Sequence, residues 1–161
     1  MVHLRPATAS DAELIHALIV ELATYEREPD AVEATPDTLR TQLAADPPPF
    51  ECLLVAPAPD QEPVGMALFF HNYSTWRGKR GVYLEDLFVR PSARGQGFGL
   101  ALLRALAQLA RERDCPRLDW AVLDWNEPAI EFYRRLGAEP LREWTTFRLS
   151  GEALARLACG D

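Results

Sequence analysis

The sequence predicts an α/β fold with a mixed sheet. Short apolar runs bounded by proline and glycine are typical of strands, and longer stretches with apolar residues at helical spacing are typical of helices. Their order, β-α-α-β-β-β-α-β-α-β, combines hairpins with crossover connections. The chain has 161 residues, which suits one hydrophobic core. We therefore predict a single domain over residues 1–161.

The N-terminal elements are a strand and two helices. A short strand is predicted over residues 2–5. Ser10 and Glu13 have the spacing of a capping box, which predicts the start of a helix that ends near residue 26. Thr35 is followed by a proline, a combination that predicts the N-terminus of a second, short helix through residue 43.

The central elements are three strands. Residues 50–56 and 64–71 read as strands of a hairpin with a proline-rich turn. A loop is predicted over residues 72–81, which are rich in Gly, Ser and Thr and include Trp76. The next strand is predicted over residues 82–89.

The C-terminal part alternates helices and strands. An amphipathic helix is predicted to about residue 114, followed by a strand over 118–123. Asn126 is the expected N-cap of another helix, and Gly137 its C-terminal stop. A last strand over 144–149 and a short terminal helix complete the chain, with Ser150 as the helix cap.

Charge and composition exclude several functional classes. The net charge is −7, from 17 basic and 24 acidic residues, which argues against nucleic-acid binding and is compatible with a cationic substrate. The sequence has no apolar run long enough for a bilayer and no signal-peptide pattern, so we expect a cytoplasmic protein that binds no membrane. The three cysteines have no metal-ligand spacing, and we expect free thiols and no metal.

The sharpest motif is a glycine-rich turn between a strand and a helix. It comprises Arg94, Gly95, Gln96, Gly97, Phe98 and Gly99. Glycines let successive backbone N–H groups point inward, and a helix N-terminus adds free donors and a positive dipole end, so the turn is suited to a diphosphate. The spacing matches neither a P-loop nor the dinucleotide-binding fingerprint. The alternative is a tight turn that binds no ligand.

This turn resembles the acetyl-CoA signature of the GNAT acetyltransferase superfamily. Residues 83–89, 125–128 and 132–138 also resemble the spermidine/spermine (diamine and thialysine) N-acetyltransferase branch, as do 5–8 and 21–26. The similarity covers most of the chain and is weakest over 32–61 and after 140.

The resemblance implies a GNAT-type, mostly antiparallel sheet flanked by helices, with a splayed central strand pair. It implies acetyl-CoA as cosubstrate, with pantetheine pairing along the backbone of Leu87, Phe88 and Val89 in the gap between those strands. Asn126 would contact CoA. Tyr133 would lie beside the sulfur and protonate the leaving thiolate. Without a ligand, Tyr133 would be an ordinary core residue.

The acceptor side is also implied by the resemblance. An alkylamine is mostly protonated near neutral pH and must lose a proton before it attacks. Glu85 is the expected general base, and Glu85 and Asp86 point to opposite faces of an uninterrupted strand. Tyr25, Glu26 and Trp76 match acceptor-side positions, with Asp86 beside them. Each of these residues could instead have no role in binding.

The acceptor end departs from the polyamine enzymes. The stretch before Trp76 lacks the aspartate that those enzymes carry, and the acidic run before Trp144 is reduced to Glu143. A long polycation needs several spaced carboxylates, so a smaller amine such as thialysine, a lysine analogue or a short diamine is expected. Alternatives are acetylation of a protein N-terminus or lysine, and a non-catalytic acyl-CoA-binding module. The resemblance further implies a homodimer.

Overall fold

A computed structural model describes residues 2–160. Within these residues, five strands form one sheet in chain order: β1 (His3–Pro6), β2 (Glu51–Ala56), β3 (Gly65–Ser74), β4 (Lys79–Val89) and β5 (Leu118–Trp120). Five α-helices accompany them over the same residues: α1 (Ala12–Tyr25), α2 (Pro36–Leu43), α3 (Phe98–Glu112), α4 (Glu127–Arg135) and α5 (Gly151–Cys159). The first four strands pair antiparallel, and β4 pairs parallel with β5. The predicted α/β class with a mixed, mostly antiparallel sheet is confirmed.

Helices cover both faces of the sheet. Leu54 and Leu68 lie on one face and pack with Ile15 and Leu18 of α1 in a buried core. The other face carries Glu51 and His71, which contact Arg113 at the end of α3. The Arg113 guanidinium donates a hydrogen bond to the Glu51 carboxylate at 2.8 Å and lies 2.9 Å from His71 Nε2. This contact fixes the C-terminal end of α3 against the sheet.

The start of α1 differs from the prediction. Ser10 lies inside a short 3₁₀ turn over Ala9–Asp11, and Asp11 is the N-cap of α1. The Asp11 carboxylate accepts the Thr8 N–H at 2.8 Å and binds Arg5 at 2.7 Å. The N-cap of α1 thus lies one residue later than predicted, and the capping box is formed by Thr8 and Asp11 instead of Ser10 and Glu13. The predicted cap of α2 is confirmed, with the Thr38 N–H donating to Thr35 Oγ1 at 3.2 Å.

The central hairpin is longer than predicted. β3 continues to Ser74 and β4 begins at Lys79, so most of the loop expected over residues 72–81 is strand. His71 Nδ1 lies 3.0 Å from the Gly81 carbonyl oxygen and helps to close this hairpin. The polar residues of the segment had suggested a loop, whereas cross-strand pairing extends the ladder through them.

The described chain forms two compact units, one through Ala121 and the other from Val122. The single domain over residues 1–161 stays a prediction. In the second unit α4 follows Asn126 and ends before Gly137, which has a φ of 86°. The strand predicted over 144–149 is wrong, because those residues have no strand pairing. The predicted strand over 118–123 is reduced to the three residues that pair with β4.

Candidate active site

β4 separates from β5 midway along its length. The two strands pair only from Val82 to Leu84, opposite β5. From Glu85 to Val89 no strand of the described residues lies on that side of β4, while β3 stays paired on the other side. An unpaired strand segment offers N–H and C=O groups that an extended ligand can pair with.

A β-bulge marks the point of separation. On β3, Phe69 is opposite Leu84 and Leu68 is opposite Asp86, so Glu85 is the extra residue. The strict alternation expected for Glu85 and Asp86 is therefore interrupted between them. At the bulge, the charge of the Glu85 carboxylate acts on the adjacent Asp86 carboxylate.

Strand alternation decides which amides enter the gap. The Arg90 N–H donates to the Val64 carbonyl at 2.9 Å, on the β3 side. Neighbouring residues in a strand direct their backbone groups to opposite edges. The N–H and C=O groups of Leu87 and Val89 therefore face the gap, and those of Phe88 face β3. The Phe88 side chain is buried in the core beside α1.

The glycine-rich turn has the geometry of an anion cradle. Gly95 and Gly97 have φ values of 75° and 85°, a region in which residues with a Cβ are strained. A Cβ built at Gly95, Gly97 or Gly99 would meet only open space. No side chain caps α3, whose N-cap is Gly97. The turn therefore leaves both space and unpaired helix donors for a diphosphate, which fits the cosubstrate implied by the sequence.

Arg94 connects this turn to the end of α1. Its Nε donates to the Val89 carbonyl at 3.0 Å. Its guanidinium lies 4.6 Å from the ring centroid of Tyr25 and 5.8 Å from that of Phe88. The structure thus brings a residue expected to bind the cosubstrate against a residue expected to bind the acceptor. No local pattern in the sequence indicates this contact, since the two residues are far apart in the chain.

Glu26, Glu85 and Asp86 form a cluster of acidic side chains without a cation, here called the carboxylate cluster. None of the three makes a side-chain hydrogen bond or ion pair with any residue from 2 to 160. Burial raises the pKa of Glu26. Burial, then the charges of Glu85 and Glu26, raise the pKa of Asp86 to about 6. The cluster has the electrostatics of a binding site for a cation.

Trp76 lies apart from the carboxylate cluster. It is 91% exposed in the turn between β3 and β4. At about 3.3 Å per residue, Glu85 lies roughly 20 Å along β4 from the start of that strand. Within one chain, Trp76 is therefore not brought to the bulge.

Asn126 and Tyr133 belong to the second unit. Asn126 occupies the N-cap of α4, although its side chain makes no capping hydrogen bond. Tyr133 follows seven residues later, on the same side of the helix, and its ring centroid is 5.5 Å from that of Phe132. Their expected contacts with CoA stay predictions.

Two kinds of feature are absent from the described residues. No helix between residues 2 and 160 is long and apolar enough to cross a membrane. Over the same residues, no three His, Cys, Asp or Glu side chains are grouped so that they could hold a metal ion.

Comparison with known proteins identifies relatives over nearly the whole chain. Residues 15–138 match the Acetyltransferase (GNAT) family. The thialysine N-epsilon-acetyltransferase of Bos taurus is 42% identical over 98% of this chain and 97% of its own. The L-ornithine N5-acetyltransferase of Arabidopsis thaliana is 32% identical over 94% of this chain and 85% of its own.

A solved structure supports the same relationship. An integron cassette protein from the mobile metagenome of V. cholerae superposes with a TM-score of 0.80 and 27% sequence identity. The match covers 98% of this chain and 97% of the other.

Proposed function

Because the chain belongs to the GNAT acetyltransferase family, it is an N-acetyltransferase that uses acetyl-CoA, and we propose that its acceptor is the side-chain amine of a small, lysine-like amino acid. The observation that carries the proposal is the carboxylate cluster at the β4 bulge, which has no cationic partner among the described residues. The names of two relatives support it, because thialysine and ornithine are both amino acids with a primary amine on the side chain.

We propose that the open edge of β4 and the glycine-rich turn hold acetyl-CoA. The backbone groups of Leu87 and the Val89 N–H face the open edge, where they can pair with an extended chain, whereas the Val89 carbonyl accepts a hydrogen bond from Arg94. The turn from Arg94 to Gly99 offers donors for the diphosphate, and Asn126 adds a further contact. When bound, acetyl-CoA supplies an acetyl group activated as a thioester.

The chemistry of the protein's own residues concerns two protons. A protonated amine must lose one before its nitrogen can attack, and we assign the acceptor of that proton to the two carboxylates at the bulge, Glu85 and Asp86. Glu85 is the residue expected from the sequence. We propose that Tyr133 donates the second proton to the leaving thiolate. Tyr25 and Glu26, at the end of α1, contact the acceptor.

A short acceptor fits the protein better than a long polyamine. The turn between β3 and β4 carries no acidic residue. The charges of Glu85 and Glu26 act on Asp86, so the three carboxylates suit one cationic group better than a chain of several. A short diamine would satisfy the same cluster and is the second candidate class.

We propose that the protein is a homodimer. Trp144 and Phe147 are 70% and 92% exposed in the isolated chain, which is unusual for large apolar side chains in a monomer. Trp76, exposed at the hairpin tip, would then meet the acceptor of the partner subunit. Light scattering that gives the mass of one chain would contradict this part of the proposal.

The test is CoA release from acetyl-CoA with a panel of acceptors: thialysine, lysine, ornithine, putrescine, spermidine, spermine and a lysine-containing peptide. We expect turnover to be highest with the diamino acids and lower with the polyamines. Preference for the peptide would instead identify a protein acetyltransferase. Binding of acetyl-CoA without turnover on any amine would identify an acyl-CoA-binding module.

A further inference from the structure

The carboxylate cluster is an exception among the acidic residues near it. Other partly buried carboxylates of the first unit are paired with arginine: Asp11 with Arg5, Glu21 with Arg90, Glu51 with Arg113, and Asp119 with Arg117. Glu26, Glu85 and Asp86 have no such partner among residues 2–160. Three neighbouring carboxylates without a counter-charge cost stability, and such sites are often functional.

Asp86 and Glu85 differ in their surroundings. Asp86 is opposite Leu68, whose side chain lies in the core beneath α1, so the Asp86 side chain is on the α1 face and is half-buried. Glu85 is the extra residue of the bulge and is exposed. Burial disfavours a charged carboxylate and makes it a stronger base.

The groups that face Asp86 come from three elements. Glu85 lies on the same strand, and Glu26 is at the end of α1; both charges raise the pKa of Asp86. Cys52 is on the same face of β2, beyond Leu68. Burial raises the pKa of the Cys52 thiol to about 12, so it stays neutral. Glu26 and Glu85 are therefore the charged groups that raise the pKa of Asp86.

We infer that Asp86, and not Glu85, accepts the proton that the acceptor ammonium loses, while Glu85 and Glu26 attract and hold the cation. This assignment rests on the proposed function. One N–H bond of the ammonium breaks, its electron pair stays on nitrogen, and the proton passes to an Asp86 carboxylate oxygen. The nitrogen then forms a bond to the acetyl carbon, the C–S bond breaks, and the thiolate takes a proton from Tyr133. The nitrogen loses its second proton to Tyr133, which leaves a neutral amide, a neutral thiol and a restored tyrosine.

The assignment predicts different pH profiles for two neighbouring variants. With thialysine as the acceptor, kcat/KM of the wild type should fall on the acid side with an apparent pKa near 6. Asp86→Asn should lower kcat by about 100-fold and abolish this acid limb. Glu85→Gln should mainly raise KM and move the limb to lower pH, because the charge of Glu85 raises the pKa of Asp86.

Two controls separate chemistry from folding. Asp60→Asn removes an exposed carboxylate in the turn between β2 and β3 and should leave the profile unchanged. Asp86→Asn should bind acetyl-CoA with wild-type affinity in calorimetry. If Asp86→Asn does not fold, Asp86→Ala replaces it, and added formate should restore its activity at least tenfold by supplying the missing carboxylate.

The outcomes that overturn the inference are specific. A wild-type kcat in Asp86→Asn would overturn the assignment of Asp86 but not the proposed function. The same holds if Glu85→Gln loses the acid limb of the pH profile while Asp86→Asn keeps it. Failure of formate to restore Asp86→Ala would also count against it. Failure of the wild type to acetylate any amine would overturn the proposed function, and this inference with it.

Discussion

At the scale of single residues, Glu85 and Asp86 show how adjacent acids acquire different properties. Their residue types predicted a carboxylate site, and the sequence favoured Glu85 as the base. The difference in burial depends on the bulge opposite Leu68 and Phe69 and on the position of α1 above the sheet. Neither can be read from the local sequence, because both depend on pairing between distant segments.

Asp86→Asn should stabilise the folded protein at neutral pH. The pKa of Asp86 is raised to about 6 in the folded protein, from an ordinary value of 3.8. Because the carboxyl group of Asp86 holds its proton more tightly in the folded protein than in the unfolded chain, it favours folding while it is protonated. The free energy of unfolding therefore falls as the pH rises from about 4 to 6. Above pH 6 the substitution should add up to about 3 kcal/mol to the free energy of unfolding, and near pH 3 nothing. Denaturant titrations at pH 3 and pH 8 measure this, and equal effects at both would contradict the assigned pKa.

The contact between Arg94 and Tyr25 should be measurable as a coupling free energy. The guanidinium lies 4.6 Å from the ring centroid, and such cation–π pairs contribute about 0.5–1 kcal/mol at exposed sites. A double-mutant cycle with Arg94→Met and Tyr25→Leu should give a coupling of this size in the free energy of unfolding. Tyr25→Phe, which keeps the ring, should retain most of the coupling. Additive effects of the two substitutions would show that the contact has no energetic role.

At the scale of elements, the glycine-rich turn was predicted well and the end of β4 only in part. The glycine spacing alone indicated a strand, a tight turn and a helix N-terminus, and Gly97 at φ 85° is the N-cap of α3. The expected separation of β4 from β5 is present, since pairing stops at Leu84. The extension of the β3–β4 hairpin was missed, because cross-strand pairing there overrides loop-like composition.

Gly97 and Gly99 should respond differently to substitution, although a Cβ at either meets open space. Gly97→Ala should destabilise the fold by about 1–2 kcal/mol, because alanine is strained at positive φ. Gly99→Ala, within α3, should stabilise it by up to about 1 kcal/mol.

Gly97→Asp should in addition abolish acetyl-CoA binding, because a negative side chain would enter the diphosphate site. Calorimetry that gives wild-type affinity for Gly97→Asp would remove the turn from the cosubstrate site.

At the scale of the whole molecule, the sequence predicted the class of the fold and the order of its first elements better than its C-terminal part. The predicted hairpin of β2 and β3 is present, because strand patterns and a proline-rich turn indicate it locally. The strand predicted over 144–149 has no pairing partner among residues 2–160, and Phe147 is almost fully exposed. An alternating pattern indicates a strand only where a neighbouring edge is available, and the sequence of one chain does not specify that neighbour.

The measurement that tests the central claim most directly is identification of the product formed from acetyl-CoA labelled with ¹³C in its acetyl group and thialysine. The proposal predicts, by NMR and mass spectrometry, one acetyl group in amide linkage to the side-chain nitrogen, with the α-amine unmodified. Acetylation of the α-amine would contradict the assigned acceptor group. No acetylated amine from a protein that binds acetyl-CoA would contradict catalysis on a lysine-like acceptor.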